Sequence, residues 1–232
     1  MKYSRLFILA CMPFLVVNLF AVAYDINWLA HATQFLIYVP LFAGFYKRLD
    51  FASFNLISFL GLSIVASVLG FFQETRSIYF MAMLFSMVSY FFLIREALRY
   101  TQREAANKFM LLFFFMLVSV NVYFLFQHLQ QLELHVAGIV EFGFYAVYYT
   151  NLLVLAVVAL IYYLNSYSRK SVFFITLVMA VIMADVLKDM EAFYLPDTSV
   201  LIAESILSFA CVILAFQFFA TREKKLRLIN LV

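Results

Sequence analysis

The residues able to do chemistry in this chain are few, and they sit among apolar neighbours. Asp185 follows Val181-Ile182-Met183-Ala184, Glu204 stands between Leu201-Ile202-Ala203 and Ile206-Leu207, and Glu141 lies near the start of a long run reaching Leu164. An ionisable side chain in hydrocarbon costs about 2.5–3.5 kcal/mol on insertion scales, so each needs a partner or a task. Carboxyl groups gathered at one level offer acid–base work, one delivering a proton while another guides water. Ser67 can orient a water molecule, and Asn18 and Asn121 can hold a polar part of a substrate. Simpler readings stand beside these. Lys188 follows Asp185 at i,i+3 and can neutralise it as an ion pair. Glu204 gains from the dipole near a helix start, and Glu141 can be solvated there.

Tyr145, Tyr148 and Tyr149 recur at three and four residues, which puts them on one helical face. That face either packs against neighbours with its hydroxyls paired or lines a lipid-binding cavity. His128 and His135 fall in or near a loop, where a solvated or interfacial role is expected, and His31 stands near the start of its segment with Gln34 one turn on. Cys11 and Cys211 lie inside apolar runs without motif spacing and read as small hydrophobes. There is no glycine-rich phosphate loop, no histidine or cysteine metal spacing and no G-x-S-x-G elbow. No metal and no cofactor is therefore expected.

The elements that must position these groups follow from composition. Of 232 residues, 67% are hydrophobic and 12% charged, with thirty Phe and fifteen Tyr. Soluble domains are about 45–50% apolar and about 25% charged, so a water-soluble fold is excluded and lipid is the solvent. Apolar runs at 6–24, 28–46, 51–72, 77–95, 109–127, 136–164, 172–188 and 199–220 predict eight transmembrane helices. The expected fold is an all-α integral membrane bundle, a single multi-pass domain over residues 1–232. Pro13 and Pro40 fall inside runs and should kink them.

Lys and Arg accumulate on the cytoplasmic side of short loops. With eight crossings, 14 of the 16 basic residues fall on one side: Lys2, Arg5, Lys47, Arg48, Arg95, Arg99, Arg103, Lys108, Arg169, Lys170, Arg222, Lys224, Lys225 and Arg227. Only Arg76 and Lys188 fall on the other. Both termini are expected to be cytoplasmic. The net charge of +3 reports orientation and forms no nucleic-acid stripe. The stretch from Arg95 to Lys108 reads as a solvated cytoplasmic connector touching anionic headgroups. In this orientation Asn18, Ser67, Asn121, Glu141, Asp185 and Glu204 lie at one level, roughly 7–8 Å below the outer interface. A competing reading of the start makes Ala21-Val22-Ala23 a signal-peptide cleavage site, leaving seven helices.

The halves of the chain share short matches in order. Val17-Asn18-Leu19-Phe20 corresponds to Val120-Asn121-Val122-Tyr123, Ile64–Leu69 to Ile182–Leu187, and Ser86–Tyr90 to Ser205–Phe209. These suggest a four-plus-four internal repeat, parallel because both halves start on the same side.

The layout, with an acidic residue late in the seventh run, resembles the YhhN-type lysoplasmalogenase family. Tyr38-Val39-Pro40-Leu41 keeps that family's second-helix proline without its lysine, and Ser63-Ile64-Val65-Ala66-Ser67 matches a third-helix stretch with Ser67 at the aspartate position. Ala184-Asp185 matches its Ser-Asp, while Ile78-Tyr79 and Ser89-Tyr90 sit at its fourth-helix features. The resemblance implies an eight-helix hydrolase in a cell membrane that cleaves the vinyl-ether bond of a lysophospholipid, releasing an aldehyde. That reaction needs an acid and a base, so Glu204 or Glu141 would have to partner Asp185. The expectation is a divergent hydrolase of this kind or an inactive relative. The alternatives are a non-catalytic membrane sensor or assembly module, and a small-solute or proton-coupled carrier using Asp185 and Glu204.

Overall fold

The computed structural model describes residues 2–72, 76–101, 108–136, 138–166 and 168–223. Arg103, Lys224, Lys225 and Arg227 of the orientation set, and Glu104 of the connector, lie outside them. The described residues form ten α-helices and one 3-10 turn: α1 (Lys2–Leu9), α2 (Met12–Ala23), α3 (Asn27–Leu36), α4 (Tyr38–Phe45), α5 (Phe54–Leu69) with the turn Gly70–Phe72, α6 (Arg76–Tyr100), α7 (Lys108–Glu133), α8 (Ile139–Ser166), α9 (Arg169–Phe193) and α10 (Thr198–Ala220). Lipid offers no partner for backbone N–H and C=O groups, so a chain this apolar satisfies them within helices.

Both prolines act where expected. Proline lacks the N–H that continues a helix and crowds the preceding turn. The first run accordingly divides into α1 and α2, with Pro13 in the first turn of α2. The second divides into α3 and α4 at Ile37, three residues before Pro40. Counting each divided pair as one crossing, seven segments among the described residues are long and apolar enough to span a membrane: Leu6–Ala23, Asn27–Phe45, Phe54–Phe72, Arg76–Tyr100, Ile139–Ser166, Arg169–Phe193 and Thr198–Ala220. The protein is therefore an all-helical integral membrane protein.

The seven segments close a ring. α5 packs along α6, α6 along α8, α8 along α9 and α9 along α10; α10 meets α2 and α4, α2 lies along α3, and α3 returns to α5. α7 packs against α8 and leaves Phe115, Met116, Tyr123 and Phe124 exposed. The proposed repeat equates α1 and α2 with α7, yet their settings differ: Asn18 is wholly buried between α2 and α3, whereas Asn121 is exposed.

Two caps anchor the ring helices. Ser168 accepts a hydrogen bond from the Ser171 N–H at 3.0 Å while Ser171 Oγ accepts from the Ser168 N–H at 3.1 Å, a reciprocal capping box at the start of α9. Asp197 accepts from the Ser199 N–H at 2.7 Å at the start of α10. The connection over residues 194–197 is so short that α9 and α10 must run antiparallel side by side. The turn between α2 and α3 passes through Asp25, whose φ of 57° is left-handed, a conformation Asp tolerates better than most residues.

The basic end is held by a buried polar cluster, and Glu96 belongs to it although the sequence places it in a solvated connector. Glu96 in α6 is buried and accepts from Asn55 Nδ2 of α5 at 2.8 Å, with Lys170 Nζ of α9 3.6 Å from its other oxygen. Lys170 also faces the Tyr100 ring at 3.7 Å. Glu223, just past α10, accepts from Tyr162 and Ser166 of α8. The reversal has a physical cause: Glu96 is on the turn of α6 that faces α5 and α9, whereas the neighbouring Arg95 and Arg99 face outward.

Candidate functional site

At the opposite end the ring encloses a cavity of about 680 Å³. Its apolar wall includes Ile37, Phe59, Leu60, Leu177, Val181, Phe209 and Val212, and its polar side is built from six helices. α3 contributes His31 and Gln34, α5 Ser63 and Ser67, α6 Tyr79 and Tyr90, α9 Asp185, Lys188 and Asp189, and α10 Glu204 and Ser208. Tyr148 of α8 completes it.

Each carboxyl group is set by its helix position. Asp185 and Asp189 are one turn apart, so both look off the same face of α9. Asp185 Oδ2 accepts from the hydroxyls of Tyr148 at 2.7 Å and Tyr90 at 3.1 Å. Asp189 accepts from Tyr149 at 2.5 Å on Oδ2 and from Tyr79 at 3.1 Å on Oδ1. Tyr79 and Tyr90 are eleven residues apart, close to three full turns, which places both on the α9-facing side of α6. Glu204 Oε1 accepts from Ser208 Oγ at 2.7 Å, one turn further along α10.

The expected Asp185–Lys188 ion pair does not form. Among the described residues no carboxylate oxygen lies within 4.0 Å of Lys188 Nζ, which stands 5.2 Å from the Tyr79 ring centre. Lys188 lies instead within electrostatic reach of Asp185, Asp189, Glu204 and His31. It supplies one positive charge to a cavity rich in acids.

Of the residues expected to form a site, Asp185, Glu204, Ser67 and Tyr148 share this cavity. Four others do not line it. Glu141 pairs with Arg76 across the α6 and α8 starts. Asn18 donates to Ala30 O at 2.8 Å and Thr33 Oγ1 at 2.9 Å, which staples α2 to α3. Asn121 donates to Leu117 O within its own helix. Tyr145 is buried against Phe80 and Phe193. Equal depth puts Asn18, Ser67, Asn121, Glu141, Asp185 and Glu204 into one expected layer, but depth leaves the direction of each side chain open, and Asn18, Asn121 and Glu141 point elsewhere.

Asp189 has no functional role in the sequence reading, and Tyr79 and Tyr90 enter it only through the family resemblance. Asp189 was legible as the i+4 neighbour of Asp185, and Tyr79 and Tyr90 through their eleven-residue spacing. His128, expected near solvent, is buried between Tyr149 and Tyr194, with Nε2 2.7 Å from the first hydroxyl and Nδ1 2.9 Å from the second. Just outside the apolar span, partial burial and the charge of Asp189 push the Tyr194 phenol above its ordinary pKa.

Among the described residues no three His, Cys, Asp or Glu side chains form a metal-ligand group. Cys11 and Cys211 are both free thiols. Comparisons with protein-family models, curated proteins and solved structures give no match to this chain.

Proposed function

We propose that the protein is an intramembrane acid–base hydrolase acting on a single-chain lipid, with the vinyl-ether bond of a lysophospholipid as the bond cleaved. The observation that carries this reading is the facing of Asp185, Glu204 and Ser67 into one cavity from three helices. The volume of about 680 Å³ is in the range of small-molecule sites, about 300–1,000 Å³. Its apolar wall suits an alkyl chain and its polar side a glycerol and head group.

Roles follow from the hydrogen bonds. Both tyrosine contacts to Asp185 fall on Oδ2, which leaves Oδ1 to take a proton from water. Glu204 then acts as the acid that protonates the alkene carbon. The resulting oxocarbenium ion accepts water at the carbon bonded to the ether oxygen, and the hemiacetal collapses to aldehyde and free glycerol hydroxyl. Ser67 donates its own proton to Ser63 O at 2.9 Å, so its oxygen lone pairs are directed to accept from that water. In the same reading α7 is an eighth crossing, both termini are cytoplasmic, and the cavity opens toward the outer side. The four-plus-four repeat then pairs Ser67 with Asp185 on the cavity wall.

The test is aldehyde release from lysoplasmalogen by purified protein. Asp185→Asn should lower it by about 100-fold or more, the usual contribution of a positioned acid or base. Activity untouched by that change removes Asp185 from the mechanism. Failure to turn over any ether or ester lysolipid leaves the sensor or carrier reading.

A further inference from the structure

Asp189 is joined to the far side of the cavity wall by an unbroken line of hydrogen-bonding groups. Tyr149, in α8, touches Asp189 at 2.5 Å and His128 Nε2 at 2.7 Å. His128, in α7, reaches Tyr194 at 2.9 Å through Nδ1. Tyr194 caps the end of α9, is half-buried, and adjoins the exposed Leu195. Asp189 and Tyr79 line the cavity, whereas Tyr149, His128 and Tyr194 lie behind it. Three helices and a cap supply one group each. Aromatic contacts hold the line in place, with His128 edge-on to Tyr149 at 4.8 Å and Tyr149 perpendicular to Tyr148.

The donor inventory gives the line a direction. A carboxylate only accepts, so Tyr149 donates its proton to Asp189 and must accept at its oxygen from His128 Nε2–H. Neutral His128 then carries no proton on Nδ1, which accepts from Tyr194. Tyr149 is thus both a donor and an acceptor, and the Tyr194 hydroxyl is a donor whose oxygen is left to accept from water. We infer that Tyr194, His128 and Tyr149 form a proton relay connecting the α9–α10 end of the bundle with the cavity carboxylate Asp189.

One passage balances as follows. Water at the bundle end gives a proton to the Tyr194 oxygen as the Tyr194 proton moves to His128 Nδ1. The Nε2 proton passes to the Tyr149 oxygen, and the Tyr149 proton passes to Asp189. One proton has entered, one hydroxide remains in the water, Asp189 is a carboxylic acid, and His128 has changed tautomer. Return of the proton along the same line resets the histidine. The groups facing this line are Tyr79 of α6, Tyr148 of α8, and Asp185 and Lys188 of α9. His135, from the end of α7, stands 6.0 Å from the Tyr194 ring. The relay does not depend on the hydrolase reading, since any chemistry or transport at Asp189 would need its proton exchanged.

The test is time-resolved infrared spectroscopy of the purified full chain after a pH jump, following the protonated-carboxyl band that Asp189→Asn abolishes. His128→Gln keeps a donor and an acceptor in place but cannot change tautomer. Tyr194→Phe removes only the half-buried hydroxyl and spares the interior. Protonation of Asp189 should slow by about 100-fold in each, the scale of a positioned proton carrier. Rates equal to wild type in Tyr194→Phe, or in a folded His128→Gln, overturn the relay. So does the absence of any band lost in Asp189→Asn. Lysolipid hydrolysis is scored separately, so loss of that activity with normal band kinetics counts against the hydrolase reading alone.

Discussion

Lys170→Met tests how the basic end of the ring is held together. Lys170 Nζ lies 3.6 Å from Glu96 Oε1, with the two side chains 4% and 5% exposed. At an effective dielectric of about 20, unit charges at that separation attract by about 4–5 kcal/mol. Desolvation of both ions offsets much of this gain, so the pair as a whole contributes little net stability. Removing one partner is different. Methionine retains the volume of the lysine stem, but Glu96 is left buried with the Asn55 amide at 2.8 Å as its hydrogen-bond partner. A buried charge orphaned in this way costs about 3–5 kcal/mol. The ammonium contacts to the Tyr100 and Phe218 rings at 3.7 and 5.0 Å are lost as well. Chemical unfolding in detergent micelles should show the single variant destabilised by that amount, with Tm lower by about 10 °C. Adding Glu96→Gln removes the stranded charge and should bring stability back to within about 1–2 kcal/mol of wild type. A Lys170→Met protein as stable as wild type, or a double variant worse than the single one, would refute the account of this cluster.

Gly44→Ala probes the seam between α1 and α4, where a new Cβ would stand 2.5 Å from Phe7 Cβ. That overlap is near the base of the Phe7 side chain and cannot be relieved by rotating the ring, so a cost of about 1–3 kcal/mol is expected; unchanged melting would show that α1 shifts freely. At the start of α10, the Ser199 N–H holds the Asp197 carboxyl below the usual carboxylate range. A lowered folded pKa means the cap stabilises fully above the unfolded value, about 3.9, and fades as pH falls through the lower folded value. Amide exchange at Ser199 and Val200, taken relative to that of free peptide at the same pH, should therefore quicken on acidification below about pH 4. It should quicken at neutral pH in Asp197→Ala, and identical exchange in the two proteins would rule the cap out.

Much of the architecture was legible in the residues because it depends on local quantities. The abundance of Phe and Leu identifies lipid as the solvent, and run lengths give seven of the eight expected crossings among the described residues, because bilayer thickness and helical rise are constants. Pro13 and Pro40 mark the breaks between α1 and α2 and between α3 and α4 through backbone sterics that need no tertiary partner. Asp185 stood out for the same kind of reason, as a charge whose cost in hydrocarbon is independent of its neighbours.

The site itself required the fold. A helix turns by about 100° per residue, so depth along the membrane normal says nothing about direction around the axis. Asn18, Asn121, Glu141 and Asp185 share an expected depth, yet only Asp185 faces the cavity. Which way each points is decided by how seven segments rotate to bury their large side chains against one another. The same rotation turns Glu96, which reads as part of a solvated connector in one dimension, and Lys170, which reads as a cytoplasmic loop cation, inward to form a buried pair. It also sets His128 of α7 between Tyr149 of α8 and Tyr194 at the cap of α9, residues 21 and 66 positions away in the chain. Local sequence thus determines the solvent, the segments and the scarce charges, whereas helix rotation and long-range contact decide which of those charges meet.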